Sequence, residues 1–221
     1  MGEAPVPGTG QSLMLYRGKD DFSIKITGGG RSSVELMNSR KHGSEDALGK
    51  LPCQRLKQPE SARVLVGGLG MGFTLAAVLA TVGPGAVVTV AELIPEVVEW
   101  NRGLLGECSG HPLKDKRTRV FVGDVDDLLV PDAAFDVIAL DVDNGPEGLT
   151  TRENDQIYSL SGILKAAAAL NPGGILAYWS AGPDRRFRQR LEQCGLNAEE
   201  ISVYAHGHKG ARHTIWLART R

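Results

Sequence analysis

The sequence predicts an α/β fold: a mostly parallel sheet closed by an antiparallel C-terminal hairpin and preceded by a small N-terminal β element. Three observations carry this. From Arg63 onward, short apolar runs alternate with helical segments, the pattern of successive βα units. The last two apolar runs, 201–205 and 214–218, are joined through a glycine-bearing loop with no helix between them, which makes them antiparallel neighbours. Near the start, Phe22, Ile24 and Ile26 alternate with polar residues, three glycines permit a tight turn, and Val34 and Leu36 resume the alternation.

In chain order, residues 1–10 are rich in Gly and Pro and are read as a flexible tail, followed by the hairpin. The polar stretch 37–43 leads to Ser44, a cap for a helix that runs to about Pro52 with Glu45 and Asp46 at the positive end of its dipole. Strands follow at 63–67, 86–92, 118–122, 135–141 and 174–180. Helices lie between them at 72–81, 95–105 and 155–170. In the third helix Ile157, Leu160 and Leu164 share one apolar face, until Pro172 and two glycines end it. A helix at 183–194 precedes the closing hairpin. Tail, hairpin and first helix make one unit, 1–58, and the α/β domain occupies 59–221.

A chain of 221 residues suits one α/β domain with a short appendage. With 42% hydrophobic and 23% charged residues it is far from a disordered composition. Lys plus Arg total 25 against 26 for Asp plus Glu, so no global basic field gathers nucleic acid or an anionic membrane. The local run Arg185, Arg186, Arg188 and Arg190 reads as the solvated face of a helix. Three cysteines without C-x-x-C spacing suggest neither a disulfide framework nor a zinc site, and point to a reducing cytoplasm. The N-terminus has no charged segment followed by an apolar one, and the apolar stretch 64–90 is broken by glycines and Pro84, so neither a secretion signal nor a membrane span is expected. His206, His208 and His213 are spaced like metal ligands, but no acidic or cysteine partner is near in sequence, and no metal is expected.

The chemistry-bearing residues gather at strand ends. Residues 64–72 form a strand running into Gly67, Gly68, Gly70 and Gly72 just before a helix, where the backbone can turn sharply and approach a nucleotide-like cofactor. Glu92 ends the second strand, placed to accept bonds from ribose hydroxyls. Gly123-Asp124 ends the third; Asp124 can accept from an adenine amine with Val125 against the ring, or simply cap a turn. Asp141, Asp143 and Asn144 end the fourth, and alternation aims Asp141 and Asp143 the same way, a negative site suited to a sulfonium and an amine. All four features fall on the edge where open α/β sheets bind ligands.

Taken in order, Gly68-Leu69-Gly70-Met71-Gly72, Glu92-Leu93-Ile94-Pro95-Glu96-Val97-Val98, Gly123-Asp124 and Asp141-Val142-Asp143-Asn144-Gly145-Pro146 resemble the spermidine synthase (polyamine aminopropyltransferase) family, within the class I S-adenosylmethionine (SAM)-dependent methyltransferase superfamily. The resemblance covers about residues 60–180. It implies a Rossmann-like fold, SAM or decarboxylated SAM as cofactor, a small amine-bearing acceptor, and a homodimer through the N-terminal β element. It places the cofactor's amino-acid arm on Gly68, Gly70 and Gly72, ribose on Glu92, adenine on Asp124 and Val125, the reacting centre at Asp141, and Tyr158 beside the acceptor.

Two departures matter. Met71 stands where the family's glycine loop carries an Asp, and Asn144 stands where the family has the carboxylate that acts as base, leaving Asp143 as a displaced substitute. These favour a SAM-dependent methyltransferase acting on a small amine, with aminopropyl transfer as the alternative and a non-catalytic SAM-nucleoside-binding protein as a further one. An NAD-dependent oxidoreductase is disfavoured by the G-x-G-x-G spacing and by acids that hydride transfer does not need. His42, Trp179 and Ser180 are additional acceptor contacts or packing residues.

Overall fold

The computed structural model describes residues 2–141, 154–207 and 209–220, and these form two sheets. The first is an antiparallel meander of β1 (Gly2–Val6), β2 (Gln11–Arg17), β3 (Phe22–Gly28) and β4 (Arg31–Asn38), in that spatial order. Alternation explains its burial. Ala4, Val6, Leu13, Leu15, Ile24 and Ile26 share one buried face, which packs on Met71, Phe73, Ile94, Val97 and Leu105. Burying a side chain such as Leu15 or Ile24 contributes roughly 1.5–3 kcal/mol.

Residues 2–6 are therefore not a flexible tail, since β1 pairs with β2 in the register Ala4↔Leu13. The sequence signal is weak for physical reasons. Pro5 is tolerated because β1 lies at a sheet edge, and in β2 the apolar Met14 and Tyr16 on the opposite face blur the alternation of Leu13 and Leu15.

The second sheet has the order β10-β11-β9-β8-β5-β6-β7. Its strands are β5 (Arg63–Gly67), β6 (Val87–Glu92), β7 (Thr118–Val122), β8 (Phe135–Leu140), β9 (Leu170–Ser180), β10 (Leu196–His206) and β11 (Lys209–Thr220). β5 through β9 pair parallel, and β10 and β11 add the expected antiparallel hairpin, with β11 pairing against β9. The chain moves outward from β5 to β6 and β7, then returns to place β8 on the other side of β5. A crevice opens where the winding direction reverses.

The helices are α1 (Gly43–Cys53), α2 (Phe73–Thr81), α3 (Pro95–Arg102), α4 (Asn154–Ile157), α5 (Leu160–Ala168) and α6 (Arg185–Gln193). Val64, Val66, Leu75, Val78 and Leu48 meet in the core on the α1–α2 side of the sheet, and Leu65, Ile138, Ile163, Phe187 and Trp216 on the other. Close approach of α1 to α2 depends on Gly49, where a Cβ would stand 2.5 Å from the Thr74 carbonyl oxygen.

Three helix expectations change. The residue at the N-cap position of α1 is His42, whose side chain makes no capping bond, whereas Ser44 is the second residue of the helix and is fully buried. The predicted helix 155–170 divides at Tyr158 and Ser159, because the Ser159 side chain caps α5 by accepting from the Gly162 N–H at 3.1 Å. Finally, α5 buries Gly162, Ile163 and Ala166, so of the expected apolar face only Ile157, on α4, is buried, and Leu160 and Leu164 are exposed. Pro172 and the glycines after it belong to an irregularity in β9 pairing rather than to a helix end.

Candidate active site

The carboxyl ends of β5, β6, β7 and β8 surround a cavity of ≈ 190 Å3, roofed by Leu36, Met37 and Asn38 of β4. Its floor is the glycine loop between β5 and α2. Gly68, Gly70 and Gly72 have φ of 91°, 51° and 83°, in the left-handed region that a side chain disfavours, and this lets the loop fold back over the strand end. The loop is held from both sides. Gly68 N–H donates to the Ala91 carbonyl at 2.9 Å, and Asn101, buried on α3, donates through Nδ2 to the Gly70 and Val97 carbonyls at 2.8 and 2.9 Å. Sequence reading did not single out Asn101, since a polar residue on a helix carries no signal of which loop it will meet.

Glu92 is buried at the end of β6 with both oxygens engaged by backbone: Leu69 N–H donates to Oε2 at 2.9 Å and Ile94 N–H to Oε1 at 3.0 Å. The carboxylate thus fixes the glycine loop to the β6–α3 turn. Each oxygen accepts more than one bond, so the same group can also face ribose hydroxyls across the cavity. Asp124 lines the cavity and caps the 3-10 turn after β7, with Oδ1 accepting from Asp126 N–H at 2.9 Å. Val125 is buried on the same wall.

Asp141 follows β8. Its backbone N–H donates to the Gly67 carbonyl at 2.7 Å, and its Oδ2 accepts from Thr74 Oγ1 at 2.9 Å in the first turn of α2. Asp143 and Asn144 lie outside the described residues. Met71 lines the cavity and is buried against the N-terminal sheet. Tyr158 departs from expectation: it is packed with Tyr178 and Phe187, ring centroids 5.6 and 5.5 Å away, and the cavity wall at that point is Ile157. Its ring follows the break between α4 and α5, which turns it into the core.

Glu45, read from sequence as a dipole-complementing residue of α1, lines the cavity. Ser44 Oγ donates to Glu45 Oε2 at 2.7 Å and meets His213 Nδ1 of β11 at 2.8 Å. Burial pushes the Glu45 carboxyl above its ordinary value, against the opposing pull of the Ser44 bond. Burial pushes the His213 imidazole down, which keeps it neutral at neutral pH. His42 stacks on Phe73, centroids 4.0 Å apart at 8°, and pairs with Asp46 at 2.9 Å. Trp179 lines the cavity with His213 edge-on to it at 4.8 Å, while Ser180 turns to the Gly182 carbonyl. His206 Nδ1 contacts the Arg40 carbonyl, and His208 lies outside the described residues. Along α6, Arg188 pairs with Glu192 and Arg190 with Asp184.

By sequence, the chain matches no protein-family model and no curated protein. Its fold is similar to solved spermidine synthases. A spermidine synthase in complex with the transition-state analogue AdoDATO superimposes with a TM-score of 0.67 at 14% identity, over 93% of this chain and 71% of that one. Spermidine synthase from Thermotoga maritima gives 0.66 at 14% identity over the same shares. A probable spermidine synthase from Corynebacterium glutamicum gives 0.66 at 16% identity, covering 99% of this chain and 79% of that one. The chain therefore has the spermidine synthase-like fold: a mostly parallel sheet, an antiparallel C-terminal hairpin and a small N-terminal antiparallel sheet.

Proposed function

We propose that the protein is an aminopropyltransferase that uses decarboxylated SAM and a small amine acceptor. One observation carries the choice: Glu45, Glu92, Asp124 and Asp141 all line the cavity, and among the described lining residues there is no Lys or Arg. A sulfonium and an aminopropyl ammonium are both cations and are attracted there. The α-carboxylate of SAM itself would enter the same acidic space without a cationic partner. This reverses the preference for methyl transfer that Met71 and Asn144 give at the level of sequence. The likeness in fold to a spermidine synthase bound to AdoDATO supports the same reading.

The residues present fit such a cofactor. A Cβ at Gly70, which lines the cavity, would stand 3.0 Å from Met37 Sδ on the facing wall, so a bare backbone keeps the cradle open there, whereas a Cβ at Gly72 would meet Ser109 Oγ at 2.8 Å, outside the cavity lining. Glu92 would hold the ribose, Asp124 the adenine amine, Val125 the ring face, and Asp141 the region of the reacting carbon. When bound, the cofactor supplies an electrophilic carbon next to a sulfonium. The chain's contribution is to orient that carbon toward the acceptor nitrogen and to surround the reacting groups with fixed negative charge.

The test is calorimetric titration with SAM, S-adenosylhomocysteine and decarboxylated SAM, side by side. Preference for decarboxylated SAM is expected. Tight binding of the first two with weak binding of the third would reinstate methyl transfer or SAM sensing, and binding of none would overturn the cofactor assignment. Methyl transfer from SAM remains the second reading because Met71, not a carboxylate, lines the glycine loop.

A further inference from the structure

We propose that Glu45 is the carboxylate that binds the acceptor's primary ammonium and takes its proton, and that Ser44 and His213 are positioning residues that hold it in place. The inference rests on the transfer reading above, and it answers the question raised by Met71 and Asn144. An amine reaches the cavity at neutral pH as an ammonium, whose lone pair is occupied; a nucleophile forms only when a nearby base removes that proton. Met71 is a thioether and cannot serve. Glu45 comes from a different element, α1, and reaches the same cavity that Thr74, Asp141 and Trp179 line.

The hydrogen-bond chain behind it is directional. Ser44 Oγ has one proton and donates it to Glu45 Oε2 at 2.7 Å, so towards His213, 2.8 Å away, it can only accept. His213, neutral through burial, must then be its Nδ1–H tautomer. A donor series running from His213 through Ser44 to Glu45 fixes the carboxylate rotamer and favours its charged form. Ser44 is fully buried, so this geometry is set by the packing of α1 against β11 and is not a surface accident. Burial works in the other direction and raises the Glu45 pKa, which makes it a better proton acceptor than a solvated carboxylate. The other ionisable groups around it are His42 and Asp46 on α1, His213 on β11 and Asp141 after β8.

One proton moves from the acceptor ammonium to the Glu45 carboxylate, leaving a neutral amine and a neutral carboxylic acid. The freed lone pair forms the new N–C bond as the C–S bond breaks, with that bond's electron pair left on sulfur. The product nitrogen carries the positive charge, and Glu45 gives its proton to water after product leaves.

The experiment compares wild type, Glu45→Gln, Glu45→Asp and Ser44→Ala. Methylthioadenosine, which has no ammonium, reports the nucleoside site by calorimetry. Putrescine, cadaverine and propylamine, each titrated with methylthioadenosine present, report the amine site. Expected for E45Q are unchanged methylthioadenosine affinity, amine affinity lower by roughly 10- to 100-fold, and loss of the acid limb of the kcat pH profile. S44A should keep that limb but move it to higher pH, since the bond it removes favours the charged carboxylate. If E45Q does not fold, as judged by its melt, E45D takes its place, with the limb kept and amine affinity reduced. Equal responses of wild type and the Glu45 variant to all three amines, with methylthioadenosine binding intact, would overturn the role of Glu45 and leave the cofactor reading standing. No methylthioadenosine binding by wild type would overturn both.

Discussion

Thr74 and Asp141 join the two halves of the site: the hydroxyl at the start of α2 donates to the carboxylate that follows β8, over 2.9 Å. The bond fixes Asp141 beside the glycine loop, and the α2 N-terminus adds its partial positive charge to the same oxygen. Asp141→Asn should lower turnover by roughly 100-fold or more, the scale of general-base and electrostatic contributions, while methylthioadenosine affinity changes several-fold at most. Thr74→Val removes the bond alone and should lower kcat less than the Asp141 variant does. Steady-state kinetics beside calorimetry separates the two, and wild-type turnover in the Asp141 variant would remove that residue from the mechanism.

Gly49→Ala offers a prediction whose sign runs against helix propensity. Alanine favours a helix by roughly 1 kcal/mol over glycine, yet the added Cβ would meet the Thr74 carbonyl at 2.5 Å and the Ala77 Cβ at 2.9 Å. Destabilisation by about 1–3 kcal/mol is expected from overpacking, read by urea denaturation. A stabilised variant would mean that α1 and α2 are not held this closely.

The Asp115–Arg117 pair gives a pH test. The hydrogen bond from Arg117 holds the Asp115 carboxyl down to about 2, below its ordinary range. A carboxyl depressed on folding contributes stability that is fully present above its unfolded pKa of about 3.9 and is lost as pH falls towards 2. Wild type should therefore exceed Asp115→Asn in stability at pH 6, with the gap closing between about pH 4 and pH 2. Thermal melts of both proteins across that range check it; a gap that stays constant would mean that the pair is not formed.

The face of α5 can be checked directly. Ile163 is fully buried and Leu164 half-exposed at 53%. Ile163→Ala should cost about 2–5 kcal/mol, whereas Leu164→Lys should stay within about 0.5 kcal/mol of wild type. Equal losses would restore the face on which Leu160 and Leu164 point inward.

How much was legible in advance depended on how local each signal was. The strand β5, the glycine loop and the acids Glu92, Asp124 and Asp141 were readable because a strand, its terminus and the following turn are contiguous in the chain. Parallel pairing then brings every such terminus to one edge of the sheet. The break at Ser159 hid in plain composition: a serine inside an apolar-periodic run looks like helix until its side chain caps the next one.

The sequence by itself therefore determined the α/β fold, the glycine loop after β5 and the acidic strand ends, since each is written in a few neighbouring residues and in their periodicity. Only the tertiary structure decided that residues 2–6 form a strand, that Tyr158 packs in the core, and that Thr74, Asn101 and Glu45 belong to the site. Which face of α1 meets the sheet edge, and which loop meets α3, is set by packing between segments far apart in the chain. Glu45 and His213 are 168 positions apart, and only the fold of the whole domain brings both to Ser44.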